Sequence, residues 1–167
     1  GLVRFLQSCF AKNPGFFISS QVIESIISIF RILVNSKIND VHGFNLMVSL
    51  IGILSADDLS KYFRPVLILI LGRIQAHKSQ KLGSYFLLFI CYIVVESKVS
   101  NGASFIIQNL NQIQPNIHFM LFKSLFIPVI SRIQEPSDKK LLVFGISQIF
   151  IELQSFIQGS SEDISLW

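Results

Sequence analysis

Apolar residues recur along this chain at helical spacing. Val22, Ile23, Ile26, Ile27, Phe30 and Leu33 follow an i, i+3, i+4 pattern, and so do Phe63, Val66, Leu67, Ile70, Leu71 and Ile74. A third stripe, Phe119, Phe122, Phe126, Val129, Ile130 and Ile133, is as regular, with Pro128 beside it expected to kink the helix. Each stripe ends in a polar break, and a second apolar segment follows at 41–54, 82–95 and 141–153. The pattern predicts helix, short polar turn, helix, three times over.

The breaks resemble one another. They read RILVNSKIND (31–40), RIQAHKSQK (73–81) and RIQEPSDKK (132–140). Arg31, Arg73 and Arg132 fall near the ends of first helices, where a cation complements the helix dipole and can bridge neighbouring repeats. Asp40, Ser79 and Ser137 are placed to accept from the first-turn amides of the second helices. SADD at 55–58 has capping-box spacing, with Asp58 in place of Glu, and starts the next first helix or a short turn before it; Pro65 falls within that helix's first turns, or marks a kink if the helix begins earlier.

From Arg31 to Arg73 is 42 positions and from Arg73 to Arg132 is 59. The extra length is assigned to one more helix, Asn101–Gln112, ending before Pro115. Residues 2–12 read as the second helix of an earlier pair, and SSED at 160–163 as another helix start. The fold class is therefore all-α: an α-solenoid of HEAT repeats, with about three full helix pairs plus partial repeats at both ends. One array over 1–167 is expected, and because the chain starts at Gly1 without an initiator Met, a piece of a longer protein.

Composition raises one rival. The chain is 51% hydrophobic and only 14% charged, against roughly 25% charged in ordinary soluble domains. The longest uncharged stretch, Val99–Phe122, is full of Asn and Gln, and the richest apolar stretch lies between Lys81 and Glu96. A spanning helix needs about 20 predominantly apolar residues, so no membrane segment is expected. Leu2–Phe10 is broken by Arg4 and Gln7, so no secretory signal is expected either.

Catalytic signals are missing. His42, His77 and His118 fall in different segments without HExxH spacing, and Cys9 and Cys91 form no CxxC pair, so no metal site is expected. The two cysteines read as buried free thiols. Asp57 and Asp58 are explained by a helix start. Neither GxxxxGK[ST] nor GxGxxG occurs, so no nucleotide or other cofactor is expected. The net charge of +4 is modest, with Lys78, Lys81, Lys139 and Lys140 recurring in the turns.

At SKINDVHGFNLMVSLI (36–51) and IQPNIHFMLFKSLFIPVISRI (113–133) the chain resembles the CAS exportins, the importin-α re-exporters of the importin-β superfamily. The similarity runs collinearly from Leu2 to the final Ser-Leu-Trp and is to the C-terminal part of that family. It implies a nuclear export receptor, shuttling between nucleus and cytoplasm through the pore. Such a receptor wraps importin-α together with Ran-GTP and has no catalytic role of its own. The chain lacks the family's N-terminal repeats, where much of the Ran contact is expected.

The resemblance also implies that second helices line the concave surface. Three polar stripes on them are partner-binding candidates: His42, Asn45 and Ser49; Lys81, Tyr85, Tyr92 and Glu96; and Lys140, Gln148 and Glu152. The plainer reading of each is the solvated face of an amphipathic helix. A different function class would be a HEAT scaffold that holds nucleic acid, or another protein, through its basic turns.

Overall fold

A computed structural model describes the backbone of residues 1–77 and 79–162, and the side chains of 1–77 and 79–152. The described elements are helical: α1 Leu2–Lys12, α2 Pro14–Phe17, α3 Ser20–Val34, α4 Asp40–Ile53, α5 Ala56–Ala76, α6 Gln80–Glu96 and α7 Gly102–Ile113. They continue as α8 Ile117–Leu121, a π turn Phe122–Phe126, α9 Ile127–Ile130 and α10 Pro136–Glu162. The expected pairs are present as α3/α4 and α5/α6; in the third, α8–α9 and α10 follow in the expected order but both pack on α6, and α7 is the extra helix.

The pairs stack in register. Second helices pack in sequence, α1 on α4, α4 on α6 and α6 on α10, while α3 packs on α5. The first two stripes supply the core as their spacing requires: Ile23, Phe30, Phe63 and Ile70 are buried against Leu46, Leu50 and Phe86 of the second helices. Burying each such side chain stabilises the stack by about 2–3 kcal/mol. Apolar cover on both sides is what keeps a helix pair folded in a solenoid, since no pair can bury its own faces.

The breaks between helices behave mostly as their residues dictate. Ser55 caps α5, its Oγ accepting from the Asp58 N–H at 3.1 Å and donating to Asp58 Oδ2 at 2.6 Å. Ser79 caps α6 through the Leu82 N–H. Asp40 departs from expectation: it is the first residue of α4, not the residue before it. Its buried Oδ1 accepts from Val41 N–H at 2.8 Å and from Lys81 Nζ at 3.2 Å. Ser137 also lies inside its helix, because Pro136, with φ already fixed and no N–H to satisfy, starts α10. Pro65 sits on the exposed side of α5, which runs through it.

Two further expectations are corrected. The third stripe is not one face: Phe119 is 67% exposed and Ile130 is also exposed, while Ile117, Leu121, Phe126, Val129 and Ile133 are buried. From Leu121 to Phe126 is five positions, and the π turn fills that step, with the Ile127 N–H bonded to the Phe122 carbonyl. Pro128 is the cause, since its ring would collide with the Ser124 carbonyl of a regular turn. SSED does not start a helix: Ser160–Glu162 continue α10, and Asp163 lies outside the described residues.

α6 and α10 approach closely at Gly145. A Cβ built on Gly145 would lie 2.5 Å from Cys91 Cβ and 2.8 Å from its Cα, so only glycine lets the helices meet at this distance. Burial there pushes the Cys91 thiol up to about 12. Among the described residues, no single helix is long and apolar enough to cross a membrane.

Candidate partner-binding face

α7 enters the stack between the second and third pairs. Its Phe105 stacks on Phe63 of α5 at 5.0 Å, and Gln112 Oε1 accepts from Arg64 Nη1 at 3.0 Å. The residue before it, Asn101, has a left-handed backbone (φ 55°) and makes no side-chain cap bond. Glu152 of α10 takes over that role. Its Oε2 accepts from the Ala103 and Ser104 N–H groups at 2.9 and 3.3 Å, and Gln148 Nε2 donates to its Oε1 at 3.2 Å. After α7 the chain turns by 105° into α8. Asn111 Oδ1 holds that corner, accepting from the Asn116 N–H at 3.1 Å and from His118 Nδ1 at 2.9 Å.

The candidate residues on the second helices divide into two groups. Asn45, Tyr85 and Tyr92 line one open groove across α4, α6 and the start of α10, with Phe44, Val48 and Leu88 among its apolar residues. Lys81 extends the groove toward the turn before α10, where Tyr85, Leu88 and Asp138 are shared with Arg132 and Glu135. Lys81 Nζ stands 5.5 Å from the Tyr85 ring, and its hydrogen bond to Asp40 raises its pKa. Burial, helped by Glu96, raises that of Tyr92, and burial, helped by Glu135, raises that of Asp138.

Other candidates point elsewhere. Ser49 is tied to α1, accepting from Gln7 Nε2 at 2.9 Å and donating to the Asn45 carbonyl. His42 is exposed near the first residues of α1, and Glu96 is exposed at the far end of α6. Lys140 lies over the exposed Phe144 ring at 5.9 Å. Gln148 and Glu152 are engaged at the start of α7. Sequence reasoning missed Asp138 and the apolar floor. Asp138 stands inside the repeated turn, while Phe44, Val48 and Leu88 look like core until the neighbouring helix is in place. Among the described residues no three His, Cys, Asp or Glu gather to hold a metal.

Stacked helix pairs with one face lined by second helices define a HEAT-type α-solenoid. The chain belongs to the family described as CAS/CSE protein, C-terminus, which it matches over residues 1–166. It is 26% identical to the importin-alpha re-exporter of Schizosaccharomyces pombe over 148 residues, covering 89% of this chain and 15% of that protein. Exportin-2 of Oreochromis niloticus is 29% identical over 168 residues, and that of Homo sapiens 27% over 168; each match covers 99% of this chain and 17% of the relative. The chain thus spans about a sixth of these relatives' length. The solved exportin Cse1 in its cargo-free, cytoplasmic state superposes with a TM-score of 0.76 at 23% identity, covering 92% of this chain and 16% of that one. That likeness concerns the fold.

Proposed function

We propose that this sequence is part of a nuclear export receptor that carries importin-α from nucleus to cytoplasm in complex with Ran-GTP. The family match over residues 1–166 carries the reading; the name of the Schizosaccharomyces pombe relative supports the cargo, and that of the vertebrate relatives supports export. The work is done by binding alone: the receptor shuttles through the pore, and hydrolysis belongs to Ran. Export needs cargo and Ran-GTP to raise each other's affinity, a reciprocal coupling that a scaffold touching both partners can supply without chemistry of its own. In this part of the receptor, the groove of Asn45, Tyr85 and Tyr92 is the docking face. Its half-buried tyrosines suit a protein interface, each joining apolar area to a polar tip.

The test is capture of importin-α by the receptor that contains this sequence, with Ran loaded with GTP or with GDP. Capture that depends on the GTP form is expected. Capture indifferent to Ran's nucleotide overturns the reading.

A further inference from the structure

The groove across α4, α6 and the start of α10 is lined by one charged group, the carboxylate of Asp138. It is partly buried, and among the described residues neither a hydrogen-bond donor nor an ion-pair partner reaches it. Burial, helped by the nearby Glu135 carboxylate, raises its pKa. The cations beside the groove do not offset this. Lys81 is held by Asp40 at 3.2 Å, which leaves Arg132 with both Glu135 and Asp138 where the groove meets the turn before α10. Two cations thus meet three carboxylates, and that end of the groove carries a net charge of −1. At the other end Glu96 acts on Tyr92, adding to the negative field.

The aromatic groups point to the same sign of ligand. Tyr85 and Tyr92 are seven positions apart on α6, which separates them by about 10.5 Å along one face. Lys81 Nζ stands 5.5 Å from the Tyr85 ring, so a cation is already accommodated at that tyrosine. The half-buried Tyr92 ring has no such cation among the described residues. A carboxylate without a donor and an aromatic face without a cation therefore open into one groove, beside the apolar Phe44, Val48 and Leu88. A guanidinium answers both needs, donating to the carboxylate and stacking on the ring, while its aliphatic stem covers apolar surface.

We propose that this groove seats arginine side chains of a basic polypeptide segment, with Asp138 pairing one guanidinium and the Tyr92 ring stacking on another. The stems of the arginines, and apolar residues between them, lie on Phe44, Val48 and Leu88. Lysine fits less well, because a compact ammonium neither stacks flat on a ring nor donates in a fork to a carboxylate. An acidic segment or a phosphate backbone would meet Asp138 and Glu135 without a free cation between the tyrosines to draw it in. The proposal rests on the groove being the docking face, but not on what the receptor transports.

The experiment is a fluorescence anisotropy titration of the 167-residue chain with a labelled peptide of arginines interspersed with leucines. Peptides with lysine or glutamate in place of arginine serve as comparisons. The Arg–Leu peptide should bind tightest, the Lys–Leu peptide less and the Glu–Leu peptide least, and the affinity of the first should fall as salt rises. Asp138→Asn should weaken Arg–Leu binding about tenfold, and Tyr92→Leu, which keeps apolar area but removes the ring, should weaken the Arg–Leu peptide more than the Lys–Leu one. Asp57→Asn, at a helix start outside the groove, should leave binding unchanged. Absence of Arg–Leu binding, lysine or glutamate peptides binding as tightly, or equal losses in Asp138→Asn and Asp57→Asn each overturn the proposal. Circular dichroism confirms that each variant is folded. Failure here leaves the nucleotide-dependent capture untouched, so the two readings fail separately.

Discussion

Arg73 of α5 donates its Nε–H to the main-chain carbonyl of Val34, the last residue of α3, across 3.1 Å. Arg73 is only 6% exposed, so the bond ties the end of one first helix to the next within the stack. Arg73→Ala leaves a buried carbonyl without its donor and should lower stability by about 2 kcal/mol. In a chain of this size that is about 4–8 °C in Tm, read from a thermal melt. Arg31 and Arg132 are exposed, and alanine at either should change stability by less than about 0.5 kcal/mol. Equal losses at all three positions would mean that the bridge to Val34 is not what makes Arg73 matter.

Glu152→Ala removes the acceptor at the start of α7 and should destabilise the chain by about 1–2 kcal/mol. Glu152→Gln keeps an acceptor but loses the charge, and should fall between wild type and alanine. Hydrogen exchange locates the effect: the amides of Ala103 and Ser104 should lose protection in Glu152→Ala before those in the middle of α5 do.

Gly145→Ala and Gly72→Ala should move stability in opposite directions. At 145 the added methyl meets the Cys91 backbone, and forcing α6 and α10 apart should cost about 1–3 kcal/mol. At 72 nothing lies within 4 Å of the new atom, so the better helix former should stabilise by up to about 1 kcal/mol. Denaturant melts of the two variants provide the comparison.

Stability should fall on mild acidification because of His118. Burial lowers its pKa from the ordinary 6.5, so the folded chain takes up this proton less readily than the unfolded one. The contribution is complete above the unfolded pKa and is lost as pH drops through it toward the folded value. His118→Gln should flatten the stability profile as pH falls through the ordinary histidine value of 6.5, seen as converging denaturant midpoints. An unchanged slope would place the titration on another group.

A thiol probe should tell the two cysteines apart. Cys9 is partly exposed, whereas Cys91 is fully buried with its pKa pushed up to about 12. At neutral pH one thiol should react in the folded chain and the second only on unfolding. Rapid modification of both would show that the contact between α6 and α10 opens readily.

The helix pairs were legible because their signals are local. The stripes from Val22 to Leu33 and from Phe63 to Ile74 mark faces that are largely covered, and Ser55 and Ser79 cap their helices as their spacing requires. The third stripe misled because a regular helical period was carried through Pro128, where the chain inserts a π turn and rotates Phe119 outward. The candidate groove was half legible. The polar members of each stripe can be read from one helix, but whether they meet depends on the neighbours. Tyr85 and Asn45 share a groove, whereas Glu152 is drawn to an element 48 and 49 positions earlier. No spacing rule within α10 announces a bond of that kind.

That bond also sets an order of events during synthesis. The first turn of α7 leaves the ribosome well before Glu152 exists, because 49 residues separate Ala103 from its acceptor. At about 5–20 residues per second the helix start waits roughly 2–10 s for its cap. Over that interval α7 leans on α5, α6 and, once it is made, α8, and a nascent chain halted short of Glu152 should expose the Ala103 and Ser104 amides to exchange. A helix made later thus completes an earlier one.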